Sequence, residues 1–187
     1  EIEPLTGGAI IDNGLIQMGV HDEGHLNVPG GTPSSGTGTT VVGLRYMPTN
    51  AEATAPGCLC EGWGAGDAIS GVSGSANENW GGTSNITPIS YVSTASTAMS
   101  VVQIGSTLEV PHAYHPSPVT PNLYEVVVTV ENISAATVDP RYRRVMDWDV
   151  EPTAFSEFVT INPGTAAELA FDSDDGFASA DPLSGPS

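Results

Sequence analysis

This sequence predicts an all-β fold, an antiparallel β-sandwich, on three observations. Its apolar segments are short and alternate with period two rather than 3.6. Gly and Pro together make 37 of 187 residues, well above the ordinary share of about 12%, so long helices are interrupted before they can form. Seven or more such segments are separated by turn-forming stretches, which is the pattern of a sandwich. A jelly roll or closed barrel is the alternative.

The elements follow in order. Residues 1–13 are expected to be an N-terminal extension, and the apolar Ile2, Leu5, Ile10 and Ile11 make Glu1 to Ile11 a candidate donor strand for a neighbouring copy. Strands are expected at Leu15 to Val20, at Thr40 to Met47, and at Ile89 to Ile104, the last broken in two by Ser93 to Ser96. Gly/Pro/Ser-rich connections lie between them, notably Pro29 to Gly38 and Gly62 to Gly82. Asn122 to Glu131 has the clearest alternation, with Tyr124, Val126, Val128 and Val130 on one face and Glu125, Val127, Thr129 and Glu131 on the other. A polar connection leads to Arg141 to Val150, where Arg144, Met146, Trp148 and Val150 share a face opposite Arg143, Val145, Asp147 and Asp149. Short strands at Phe158 to Ile161 and Ala167 to Phe171 complete a single domain over 14–183, with 184–187 as a tail. No fixed period recurs, which argues against solenoids and propellers.

Charge narrows the function classes. Lys and Arg total 4 against 22 Asp and Glu, a formal charge of −18 with a pI near 4.1. Nucleic acid and anionic membrane surfaces are therefore disfavoured partners, because both are held by basic side chains. Charged residues are only 14% of the chain against about 25% ordinarily, and it is the bases that are missing. The chain has no Lys, only Arg45, Arg141, Arg143 and Arg144. Schiff-base chemistry, a P-loop lysine and a Lys to Asn cross-link are excluded. No run approaches the roughly 18 apolar residues of a membrane-spanning helix. The start at Glu1, the Ser/Gly/Pro-rich end Pro182 to Ser187 and the sequons at Asn85 and Asn132 lead to the expectation of an exported, processed protein with two glycosylation acceptors.

The stretches P-G-C-L-C-E-G-W-G (Pro56 to Gly64), P-N-L-Y-E-V-V-V-T-V-E-N (Pro121 to Asn132), R-Y-R-R-V-M-D-W-D-V-E-P-T (Arg141 to Thr153) and D-D-G-F-A-S-A-D-P-L (Asp174 to Leu183) resemble a group of exported bacterial surface proteins of unassigned function. Members of that group often carry PEP-CTERM sorting signals. The resemblance implies export and surface display, and it carries over no catalytic residue. The resemblance leads to the expectation of a trimmed or mature form from which the sorting tail has been removed.

Several constellations bear on chemistry. Cys58 and Cys60 are the only cysteines; they are read as a disulfide closing a short ring, against free thiols, an intermolecular bridge or half of a soft-metal site. In H-D-E-G-H, Asp22 stands where a zincin helix needs Glu and Gly24 opposes a helix; on a strand, His21, Glu23 and His25 would face one way and could bind a divalent ion, polar loop-end residues being the plainer reading. His112 and His115 form the second pair. Asp172, Asp174 and Asp175 suggest calcium in a non-EF-hand loop, since Gly176 falls at position 5 rather than 6 and no Glu follows. Asp147 and Asp149, continued by Glu151, could serve as an acid/base pair for glycoside cleavage, but Arg143 on the same face makes an ionic ladder or a calcium ligand set the simpler account. Trp148 is expected in the core, while Trp63 and Trp80 in Gly-rich surroundings either plug the sandwich end or stack on a sugar.

These observations lead to the expectation of an exported, non-enzymatic structural or surface module that assembles with copies of itself into a fibre, layer or stalk, in part by strand exchange. It needs no cofactor except, in one version, Ca2+. The alternative is a calcium-dependent carbohydrate-binding or adhesin domain, and a hydrolase using Asp147 and Asp149 stands behind both.

Overall fold

The computed structural model describes residues 7–77, 82–157 and 183. Six strands come first: β1 (Ala9–Asp12), β2 (Ile16–Val20), β3 (Val28–Pro29), β4 (Val41–Val42), β5 (Leu44–Tyr46) and β6 (Ala51–Glu52). They build a sheet of order β1-β2-β5-β6 and a β3-β4 pair. Then come β7 (Glu61–Asp67) and β8 (Ser73–Asn77), followed by β9 (Ile86–Ser93), β10 (Ala98–Ile104) and β11 (Leu108–Pro116). The last are β12 (Tyr124–Val128), β13 (Glu131–Asn132) and β14 (Pro140–Met146). The order β12-β11-β10-β9 makes the largest sheet, with β13 also beside β11, and β14-β7-β8 makes a third. Every named pairing is antiparallel. The chain is all-β, a sandwich of open sheets rather than a closed barrel.

Period-two patterning fixes the layers. Ala98, Ser100, Val102 and Ile104 on β10, with Leu108, Val110, His112 and Tyr114 on β11, are buried on the inner face of the large sheet. One half of that face packs against Ile11, Met18 and Val20 from the first sheet and against Leu26, the bridge partner of Val20. The other half packs against Trp63, Ala65 and Ala76 from the third. One sheet therefore covers two lying side by side, and the stretch after β2 leads into their junction.

Four differences from the expected elements have physical causes. The connection Gly62 to Gly82 contains β7 and β8. Its small residues serve close packing, since a Cβ at Gly62 would lie 2.4 Å from the Ala76 carbonyl oxygen. Strand β11 lacks a clean signal because Pro111 interrupts it; the Pro111 carbonyl accepts from Thr129 N–H, so its missing N–H faces the side where the partner strand is broken between β12 and β13. Residues 9–12 of the expected donor extension pair with β2 of the same chain, and Ile11 is fully buried there. Strand β14 stops at Met146, which leaves Trp148 half-buried rather than in the core and Val150 exposed. Phe158 to Ile161 and Ala167 to Phe171 lie outside the described residues.

Candidate functional site

Between Val20 and Leu26, which bridge as antiparallel partners, His21 to His25 form a tight turn. Gly24 N–H donates to His21 C=O at 2.9 Å, and His21 N–H donates to His25 C=O at 2.8 Å. This is a three-residue connection ending in a left-handed position, filled by Gly24 at φ 79°. A Cβ at Gly24 would also stand 2.8 Å from His112 Nδ1. The turn, rather than a continuous strand, brings His21 and His25 together.

Side chains from four strands remote in sequence hold carbonyls of this segment. Tyr91 hydroxyl donates to Val20 O at 2.8 Å, Ser100 hydroxyl to Asp22 O at 2.7 Å, Trp63 indole N–H to Glu23 O at 2.8 Å, and Tyr114 hydroxyl to Gly24 O at 2.6 Å. Leu26 N–H donates to the Glu61 carboxylate, which also pairs with the Arg144 guanidinium. Arg144 continues to the Tyr114 hydroxyl at 3.1 Å. Beneath lie His112 and Tyr142, with the His112 ring 4.5 Å from Trp63. Burial, reinforced by the Arg144 charge, pushes the His112 pKa down to about 3, so this imidazole is neutral. The backbone of the turn is thus positioned by fixed groups.

Three of its side chains converge. The His21 and His25 rings stack with centroids 4.3 Å apart. Glu23 Oε2 lies 3.9 Å from His21 Nδ1 and 3.6 Å from His25 Nε2. His25 is almost fully buried and its Nδ1 is 2.6 Å from Leu26 O, a carbonyl that can only accept, so Nδ1 carries a proton and Nε2 is the nitrogen that faces Glu23, as a donor in the charged ring and as the lone pair in the neutral one. Thr83 donates to Glu23 Oε2 at 2.6 Å. The Glu23 carboxyl is held below its ordinary range chiefly by His25, with burial opposing and Thr83 and His21 adding to the effect. These residues can hold a divalent metal.

The other candidates are scattered. Cys58 and Cys60 are bonded to each other, so their sulfurs are not thiolate ligands, and the 3.4 Å approach of Cys58 Sγ to Asp147 Oδ2 is a contact without a proton. Asp147 is exposed, whereas Asp149 is buried and accepts from Phe155 N–H at 3.2 Å. Burial, then Asp147 and Glu157, raises the Asp149 pKa. Glu151 is enclosed elsewhere: burial alone would raise its pKa, but Thr37 N–H, the Ser34 and Thr37 hydroxyls and Glu52 N–H outweigh that and hold it at about 2. Glu151 therefore fastens a loop rather than extending an acidic line. Trp63 is only 2% exposed, so it plugs the interior and offers no face to a sugar. Asn85 and Asn132 are exposed, each donating its amide to a nearby carbonyl, Ser73 O and Ala136 O. Asp172, Asp174, Asp175 and Trp80 lie outside the described residues.

A second feature is the outer face of the large sheet. Val92, Met99, Ala113 and Val127 are register partners across all four strands and form one row. Val92 is 60%, Met99 41% and Val127 53% exposed. The next row is Ser90, Val101 and Pro111, with Thr129 bonded to Pro111. Neither row carries a charge; Glu109 and Glu131 flank them on one side, and His115 and Glu125 on the other. No family model, curated protein or solved structure matches the chain.

Proposed function

We propose that the chain is an exported, non-enzymatic structural module that packs against copies of itself to build a surface assembly, with the outer face of the β9 to β12 sheet as the contact. The observation that carries this reading is the uncharged apolar row of Val92, Met99, Ala113 and Val127 in a chain of net charge −18. Copies so alike in charge repel over most of their surface, and a neutral sheet face is where they can approach. Two rows across four strands cover roughly 300 Å2 at ordinary strand spacing, a weak contact that suits repetition in an assembly better than a tight isolated dimer. A shallow hollow of about 250 Å3 lined by Val92, Met99, Ala113 and His115 gives the face relief. Because the Ile10 and Ile11 end of the N-terminal segment already pairs within its own chain, contact between sheet faces is favoured over exchange of that strand.

Sedimentation velocity over a wide concentration range tests the reading. The wild-type chain should show a concentration-dependent rise in mean mass, and Met99→Glu should abolish it while leaving the circular dichroism spectrum unchanged. A wild-type chain that stays monomeric up to its solubility limit would remove the basis for the proposal.

A further inference from the structure

The turn at the junction of the three sheets has an arrangement that its place in a structural module does not require. A loop that only joined Val20 to Leu26 would leave its polar side chains in solvent. Here His21 and Glu23 keep only 23% and 21% side-chain exposure, and His25 keeps 1%. Four carbonyls of the segment are fixed by Tyr91, Ser100, Trp63 and Tyr114, so the backbone carrying these side chains is held before any ligand arrives.

We propose that His21, Glu23 and His25 form a binding site for a divalent transition-metal ion, of which Zn2+ is the representative. The ligand atoms would be His21 Nδ1, Glu23 Oε2 and His25 Nε2, and one such atom from each residue lies within 4.8 Å of the others. Ligands about 2.0–2.1 Å from a tetrahedral ion are roughly 3.4 Å apart, so the 3.6 and 3.9 Å separations from Glu23 need little contraction. His25 is set as a ligand: Nδ1–H is fixed on Leu26 O, so in the neutral ring the Nε2 lone pair is on the Glu23 side. The adjustment falls on His21. Its ring is stacked 16° from the plane of His25, and it must tilt for both lone pairs to converge. In tilting, its Nδ1 gives up the 3.3 Å bond from Glu23 N–H. Asp22 Oδ1, 3.0 Å from the same nitrogen, adds a second carboxylate at the rim.

Two imidazoles and a carboxylate select the class of ion. Calcium and magnesium favour all-oxygen shells, whereas imidazole suits zinc, nickel and copper. The site is independent of self-association, since His21 to His25 lie at the junction between sheets and the apolar row lies on the outer face.

The test uses tag-free chain, with Zn2+ and Ca2+ titrated separately by calorimetry. Zn2+ should bind with one-to-one stoichiometry, and His21→Gln and Glu23→Gln should each weaken it at least tenfold. His115→Gln, on a sheet margin away from the turn, should leave the affinity within twofold, and Ca2+ in tenfold excess should not compete. Unchanged affinity in both turn variants, equal loss in His115→Gln, or no saturable Zn2+ binding would overturn the proposal. Electron paramagnetic resonance of Cu2+ on the wild-type chain gives a check free of variants: coupling to two nitrogens is expected, and a spectrum with none overturns the assignment.

Discussion

At the scale of single residues, His112 shows how the fold enforces a protonation state. It is completely buried beside Trp63 and Tyr142, and burial together with the Arg144 charge pushes its pKa down to about 3. An unfolded histidine titrates near 6.5. From about pH 6.5 down to about 3 the unfolded chain therefore binds a proton that the folded chain refuses, and stability falls as pH falls by up to about 1.4 kcal/mol per unit. Glu151, held at about 2, adds a loss of the same sign, but only below its ordinary value of 4.5. Between pH 6.5 and 4.5 Glu151 adds little, and comparison with His112→Gln separates the His112 share from that of Asp149, whose raised pKa acts with the opposite sign. Denaturant unfolding across that interval should show midpoints declining with acid in the wild-type chain, and a shallower decline in His112→Gln. Equal slopes would assign the effect to another group.

At the scale of elements, buried ion pairs take the place of missing apolar surface. Arg45 and Glu52 are both fully buried. The guanidinium donates to the carbonyls of Thr32, Thr39 and Val41, while Glu52 Oε1 accepts from Gly43 and Leu44 N–H. One pair thus ties β5 and β6 to the connection before β4. Removing one partner strands the other charge without water, so Arg45→Ala should cost about 3–5 kcal/mol of unfolding free energy. Arg141→Ala, which breaks the exposed pair with Asp139, should cost about 1 kcal/mol or less. Urea midpoints for the two variants check the contrast, and similar losses would refute it. The same elements show what could be read in advance. Tyr124, Val126 and Val128 alternate so clearly that β12 was legible, as was the break between β9 and β10 at Ser93 to Ser96. Strand β7 was not, because Gly62, Gly64 and Gly66 carry no hydrophobic pattern, and at Gly62 and Gly66 a Cβ would crowd Ala76 and Ser73 of β8.

At the scale of the whole molecule, long-range contacts decide what short motifs cannot. H-D-E-G-H names its own residues, but their convergence depends on Trp63, Tyr91, Ser100 and Tyr114, which lie 38 or more positions beyond His25 in the sequence. The apolar row was equally hidden, since alternation in one strand says nothing of which strands become neighbours. Its consequence for assembly depends on charge. At −18, two copies repel, and that repulsion extends about 10 Å at 0.1 M salt but only about 3 Å at 1 M. If the contact is the neutral face of Val92, Met99, Ala113 and Val127, added sodium chloride removes the opposing term and leaves the attraction, so association should strengthen as salt rises. If copies were instead held by arginine to carboxylate pairs, the same salt would weaken them. Sedimentation at 0.05 M and at 0.5 M therefore reads the sign directly, with Met99→Glu expected to remain monomeric at both, and a mean mass that falls with salt would transfer the contact from the sheet face to charged side chains.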